Sequence, residues 1–92
     1  MKPKFEMRKA FCCMHCDRKK KADVLVRYLD SLGYHWSDGE DYVDHDTGKT
    51  NPDWSIYKQH TVYYFNIGKL ANTAFAHEHN HTILEFDDFD WE

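Results

Sequence analysis

FCCMHCDRKKKADVLVRYLDSLG, residues 11–33, decides how the rest of the chain is read. Its first six residues hold every cysteine in the sequence, Cys12, Cys13 and Cys16, with His15 between the last two. In an extended conformation Cys12 and Met14 point to one side, Phe11 and Cys13 to the other. A strand that is apolar on both sides belongs in the middle of its sheet. Asp17 is an N-cap type of residue, able to accept backbone N–H bonds from a first helical turn. Ala22, Leu25, Leu29 and Leu32 then recur at helical spacing, Val26 and Tyr28 widen the stripe, and Gly33 supplies a left-handed stop. Arg18, Lys19, Lys20 and Lys21 crowd the first turn, where each cation opposes the helix dipole by roughly a few tenths of a kcal/mol. That is a hint of an anion-facing corner.

Working outward, residues 5–16 read as the first strand and residues 34–36 as a short second one entering the turn Ser37-Asp38-Gly39. Residues 38–53 are polar and acidic, a long loop; Asn51-Pro52 opens a single helical turn through Trp54 and Tyr57. Residues 61–67, TVYYFNI, are β-branched and aromatic and form the clearest strand. Residues 68–80 are a connection with a helical turn near 73–77, and residues 82–86 are the last strand, followed by the tail DDFDWE. The expected fold class is α+β: an antiparallel four-stranded sheet with one main helix on one face. Its order is strand–helix–strand–strand–short helix–strand, the split βαβ, ferredoxin-like arrangement. In that topology the last strand runs antiparallel to the first.

The chain has 92 residues and 41% hydrophobic content, with three Trp, six Tyr and six Phe, which is one domain with a core built from large rings. No apolar run approaches the roughly 20 residues needed to span a bilayer. The start MKPKFEMRKAF lacks a signal-peptide apolar stretch, and three clustered cysteines are no extracellular disulfide framework, so a cytoplasmic location is expected. The net charge of −4 conceals a split: residues 1–21 carry eight basic and two acidic side chains, the remainder four basic and fourteen acidic. Antiparallel pairing of the outer segments would set Glu85, Asp87, Asp88 and Asp90 beside Lys4, Arg8 and Lys9, neutralising much of it.

The same pairing would bring the end of the first strand towards His77, His79 and His81. Cys16 with His79 and His81 is then a candidate zinc set, since zinc takes thiolate and imidazole in tetrahedral array. Against it, Cys12 and Cys16 share a strand face roughly 13 Å apart and cannot bind one ion together, and buried free cysteine is ordinarily packing. Packing is the better reading, and no cofactor is expected. Asp44-x-Asp46-x-Gly48 resembles the start of a calcium loop, but Ser55 stands where the bidentate glutamate belongs, leaving a solvated acidic turn. No nucleophile–base–oxyanion pattern, phosphate loop or dinucleotide fingerprint is present, so an enzyme is not expected. Arg18, Lys19, Lys20 and Lys21, with Tyr63, Tyr64 and Phe65 on a strand, raise nucleic-acid binding. The acidic balance and the lack of an RNP-type sequence argue against it.

With these landmarks placed, the chain resembles small uncharacterised phage and prophage proteins of Gram-positive bacteria. The likeness is carried by CDRKKKADVLVRYLDSLGYHWSDG, by Trp54, Tyr57 and TVYYFN, and by TILEFDDF near the C-terminus. In that pattern a capped helix ends L-x-x-x-G-Y-x-W, an aromatic strand follows, and the chain closes on I-L-E-F-x-D-F; it spans residues 10–90. The resemblance implies a cytoplasmic phage accessory protein and carries over no catalytic residue or cofactor. The Cys and His clusters lie outside it, and His77-Glu78-His79-Asn80 replaces a more helical, lysine-rich segment.

These readings converge on a non-enzymatic protein that binds a host or competing protein, in counter-defence or host takeover. Tyr42, Trp54, Asp87, Asp88, Phe89, Asp90 and Trp91 are the expected interaction residues, because Tyr and Trp set among charge anchor interfaces. Zinc and nucleic acid are the alternatives, a second copy of the chain stays open as a partner, and a membrane is not expected.

Overall fold

The computed structural model describes residues 12–89 and 91. The first strand, β1 (Cys12–His15), is central, with its neighbours drawn from the far half of the chain. On one side lies β2 (Thr61–Tyr64), antiparallel, with Met14 opposite Tyr63 and His15 opposite Val62. A turn through residues 65–68 reverses the chain into β3 (Lys69–Asn72), antiparallel to β2. On the other side of β1 lies β4 (Thr82–Glu85), which is parallel to it, Cys12 opposite Thr82 and His15 opposite Glu85. The sheet order is β3-β2-β1-β4, a mixed sheet in an α+β fold with one main helix.

Two corrections to the expected topology have one cause. Residues 34–36 are not a strand, because their amides are taken elsewhere. Tyr34 N–H donates to the Leu29 carbonyl at 3.0 Å and Trp36 N–H to the Glu40 carbonyl at 2.9 Å. The edge beyond β2 is filled instead by β3, from the segment read as a connection. That added reversal turns the chain round once more before the crossover through α2 (Thr73–Glu78), so β4 arrives parallel to β1 and not antiparallel. Lys4, Arg8, Lys9 and Asp90, on which the expected charge pairing relied, lie outside the described residues.

The long helix α1 (Lys19–Ser31) buries Ala22, Leu25, Val26 and Leu29 of the stripe read in the sequence, whereas Leu32, expected to extend it, is the C-cap and stands exposed. Asp17 does not cap it. Arg18 is the N-cap and makes no side-chain capping bond, while the Asp17 carboxylate lies 2.7 Å from Lys21 Nζ. At the other end Gly33, at φ 89°, lets its own N–H reach the Asp30 carbonyl and that of Tyr34 reach Leu29, both at 3.0 Å. That double bond pattern is a Schellman stop.

Under α1 the sheet presents Cys12, Met14, Tyr63, Leu70 and Leu84; the opposite face packs Cys13, Val62, Tyr64 and Ile83 against Ala76 of α2. The acidic loop contributes to the first core. Tyr42 and Val43 are buried, Trp36 packs 4.7 Å from Tyr42 between ring centroids, and Trp36 Nε1 donates to the Asn51 carbonyl at 3.0 Å. Tyr63 Oη donates to the Pro52 carbonyl at 2.7 Å, tying the loop's exit to β2. The expected turn after Pro52 exists as two short 3-10 segments, Trp54–Ile56 and Lys58–His60.

Gly68 closes the β2–β3 turn at φ 66°, and a Cβ there would stand 2.6 Å from Ser37 N and 2.7 Å from the His35 carbonyl oxygen. Gly33 has a similar φ but open space around the same position. Gly33→Ala is therefore expected to cost about 1 kcal/mol from backbone strain alone. Gly68→Ala should cost about 3 kcal/mol, since overpacking against backbone adds to strain. Urea denaturation of both variants checks this; equal losses would show that the 68-to-35 contact is not tight.

Candidate binding groove at the start of α1

Because β1 and β4 are parallel, the chain leaves both strands at the same end of the sheet. That exit is firmly held. Cys16 N–H donates to the Thr61 carbonyl at 3.1 Å, and Trp54 Nε1 donates to the Cys16 carbonyl at 3.0 Å. One position earlier, His15 Nδ1 lies 2.8 Å from Glu85 Oε1 and Nε2 lies 2.8 Å from the Gln59 carbonyl, so one imidazole joins three segments. The cationic start of α1 and the acidic, aromatic tail emerge from this clamp side by side.

Lys21 Nζ stands between two carboxylates, 2.7 Å from Asp17 Oδ1 and 2.7 Å from Asp87 Oδ2. Its hydrogen bonds to Asp17 and then Asp87 raise its pKa, and the bond from Lys21 lowers that of Asp17. Asp87 belongs to a 3-10 turn, Phe86–Asp88. Beyond it Trp91 folds back: its Nε1 donates to the Phe86 carbonyl at 2.7 Å, and its ring stacks on Phe86 with centroids 4.5 Å apart. The Trp91 ring also meets Tyr28 of α1 edge-on at 5.5 Å.

Between helix and tail lies a groove of about 460 Å³, within the size range of ligand sites. Arg18, Lys20, Lys21 and Val24 form the helix wall; Phe86, Phe89 and Trp91 form the other. A second hollow of about 260 Å³ lies across Trp91, lined by Val24, Arg27, Tyr28, Ser31 and Trp91. Two sets of residues singled out separately in the sequence, the helix-start cations and the tail aromatics, thus share one site. The sequence reading missed Val24, Tyr28 and Phe86 as site residues. A signal existed: Lys21, Val24 and Tyr28 recur at i, i+3 and i+7, a second stripe beside the core stripe.

The other expected interaction residues divide. Tyr42 is not a surface anchor; it is fully buried, its hydroxyl has no hydrogen-bond partner among the described residues, and burial pushes its phenol up to about 12. Trp54 is half-buried and acts as a latch on Cys16. Asp88 is exposed beside the groove, Asp90 lies outside the described residues, and Lys19 faces Asp23 at 3.5 Å.

Cys16, His79 and His81 are not brought together. The metal geometry required antiparallel strands; with Cys12 opposite Thr82, the histidines lie at the start of β1 and Cys16 roughly 13 Å along it. His81 Nδ1 instead lies 2.6 Å from the Tyr64 hydroxyl, and its ring lies 5.6 Å from that of His79. Among the described residues no three His, Cys, Asp or Glu side chains form a group able to hold a metal ion. Tyr63, Tyr64 and Phe65 are all buried, so none of these rings offers an open stacking face.

The Asp44 turn is a small hairpin closed by the Val43–Thr50 bridge. Asp44 Oδ1 accepts the Asp46 N–H at 2.9 Å, and His45 Nε2 lies 3.0 Å from Asp30 Oδ2 near the end of α1. No described helix is long and apolar enough to cross a membrane. Comparison with protein-family models, curated proteins and solved structures finds no match to the chain.

The hydrogen bond to Asp30, reinforced by the charges of Asp30, Asp41 and Asp44, raises the His45 pKa above its ordinary 6.5. A folded-state pKa above the unfolded one gives stability that is complete below about 6.5 and lost as pH rises through the folded value. The melting temperature of the native chain should thus exceed that of His45→Ala at about pH 5.5 and converge with it by about pH 8.5. A gap independent of pH would remove the His45–Asp30 account. The three cysteines are buried; burial pushes the Cys13 thiol up to about 12 and raises that of Cys16. Ellman's reagent at about pH 7.5 should leave all three unreacted in the folded chain and modify all three in guanidinium. Rapid native labelling would contradict this packing.

Proposed function

We propose that the chain is a non-enzymatic binding module, an accessory protein of the phage or prophage kind acting in the host cytoplasm, which docks a partner protein through the groove at the start of α1. The observation that carries this reading is the meeting of Arg18, Lys20 and Lys21 with Phe86, Phe89 and Trp91 across one groove. Rings flanked by charge, partly buried and held in place, are the composition of interface anchors. The helix wall is presented on a rigid element, while Trp91 is fixed by its bond to the Phe86 carbonyl and its contact with Tyr28. The groove is therefore preformed, and little ordering entropy opposes binding.

Support also comes from where the reactive side chains lie. The thiols are in the two cores, those of Cys13 and Cys16 with raised pKa values, and His15 is engaged at both ring nitrogens. The groove offers cations and rings, which is recognition chemistry.

Affinity capture from lysate of a Gram-positive host tests the proposal, with the double variant Arg18→Glu/Lys20→Glu and the single variant Trp91→Ala as comparators. Arg18 and Lys20 are exposed and have no ion-pair partner among the described residues, so their reversal should leave folding intact by circular dichroism. A partner identified by mass spectrometry should be retained by the native chain and depleted at least about tenfold by the double variant. Equal recovery by native and double-variant chains would place binding elsewhere and overturn the proposal.

A further inference from the structure

We infer that the occupant of the groove is an acidic segment of another protein, carrying an aromatic side chain between carboxylates. This rests on reading the groove as the binding surface and names the chemistry of what enters it.

Charge complementarity comes first. Arg18 and Lys20 stand exposed in the helix wall of a groove whose apolar lining is Val24, Phe86, Phe89 and Trp91. No carboxylate among the described residues pairs with either of them, whereas Lys21 behind them is held by Asp17 and Asp87. Two open cations over rings match an anion that also has an apolar part to bury.

The chain itself shows how such a segment meets this helix. Its tail reads FDDFDWE from residue 86, and this run sets Asp87 on Lys21 at 2.7 Å while turning Trp91 onto Tyr28. Carboxylate to the lysine row and ring to the Val24–Tyr28 row is thus a mode of contact already realised within the fold. A second acidic, aromatic segment can use the same two rows one turn toward the N-terminus, where Arg18 stands three residues before Lys21 and Lys20 four before Val24.

The positive patch is also short. Asp17, Asp23 and Asp87 stand against its lysines, and the chain as a whole carries −4. A nucleic acid presents a charge about every 1.7 Å of duplex axis and would run from the two cations straight onto carboxylates. A peptide with two or three acids stops within the patch. That favours peptide over polyanion.

Fluorescence anisotropy of the labelled free peptide DDFDWE, titrated with the full chain at about 50 mM salt, tests the inference. Saturable binding is expected. It should weaken at least about tenfold with the peptide NNFNWQ, with the Arg18→Glu/Lys20→Glu chain, or at about 500 mM salt. No binding of DDFDWE, or equal binding of NNFNWQ, overturns the acidic occupant. Tighter binding of a labelled ten-residue oligothymidine also overturns it, in favour of nucleic acid. A monomer–dimer equilibrium in sedimentation that the double variant abolishes overturns a foreign segment in favour of the tail of a second copy. If DDFDWE fails while the double variant still loses its captured partner, only the ligand class falls. If capture is indifferent to the double variant, the groove reading itself falls.

Discussion

The parallel pairing of β1 with β4 is the constraint on which the rest of the molecule depends. β1 is four residues long and has side chains packed on both faces, so it must sit between two other strands. Its left and right neighbours come from residues 61–64 and 82–85. Parallel strands deliver their continuing chains to one end of the sheet. The start of α1 and the C-terminal tail are thereby neighbours in space, although nearly seventy residues separate them in sequence. The groove follows from strand direction before any side chain is considered.

Strand direction was also the hardest feature to read in advance. The adjacency of first and last strands follows from the expected topology. The strand beginning at residue 61 (read to 67, ending at 64), the helix stripe Ala22–Leu25–Leu29, the Gly33 stop and the final strand are all legible in local pattern. Each depends on periodicity or on one residue's backbone freedom. The edge strand β3, KLAN, has no such signature: four residues, one charge, one amide and little β-branching. It is a strand because β2 supplies a partner and Gly68 supplies the reversal, both tertiary facts. Missing it changes the count of chain reversals by one, and the direction of β4 changes with it.

The site was legible in its parts and not in its assembly. The cations of RKKK stood out because they oppose the helix dipole, and the tail aromatics stood out because they lie among acids. Only the sheet register shows that they face each other. The same register separates Cys16 from His79 and His81. Tyr42 misled for a different reason: its neighbours, Val43 apart, are polar, and a single ring in such a loop is drawn inward by Trp36 and Tyr63 rather than left in water.

The distance in sequence between β1 and its two neighbours has a bearing on how the chain is made. Until residue 64 has left the ribosome, the buried centre of the sheet has no partner on either side, and until residue 85 has followed, one flank stays open. Helix α1 can form early, yet its apolar stripe has no completed sheet to rest on until residues 61–85 have emerged. Closing loops of this length before any contact rewards them is slow compared with local folding. The nascent protein therefore completes its sheet only after residue 85 has emerged, with a thiol-rich apolar segment lacking its partners until then.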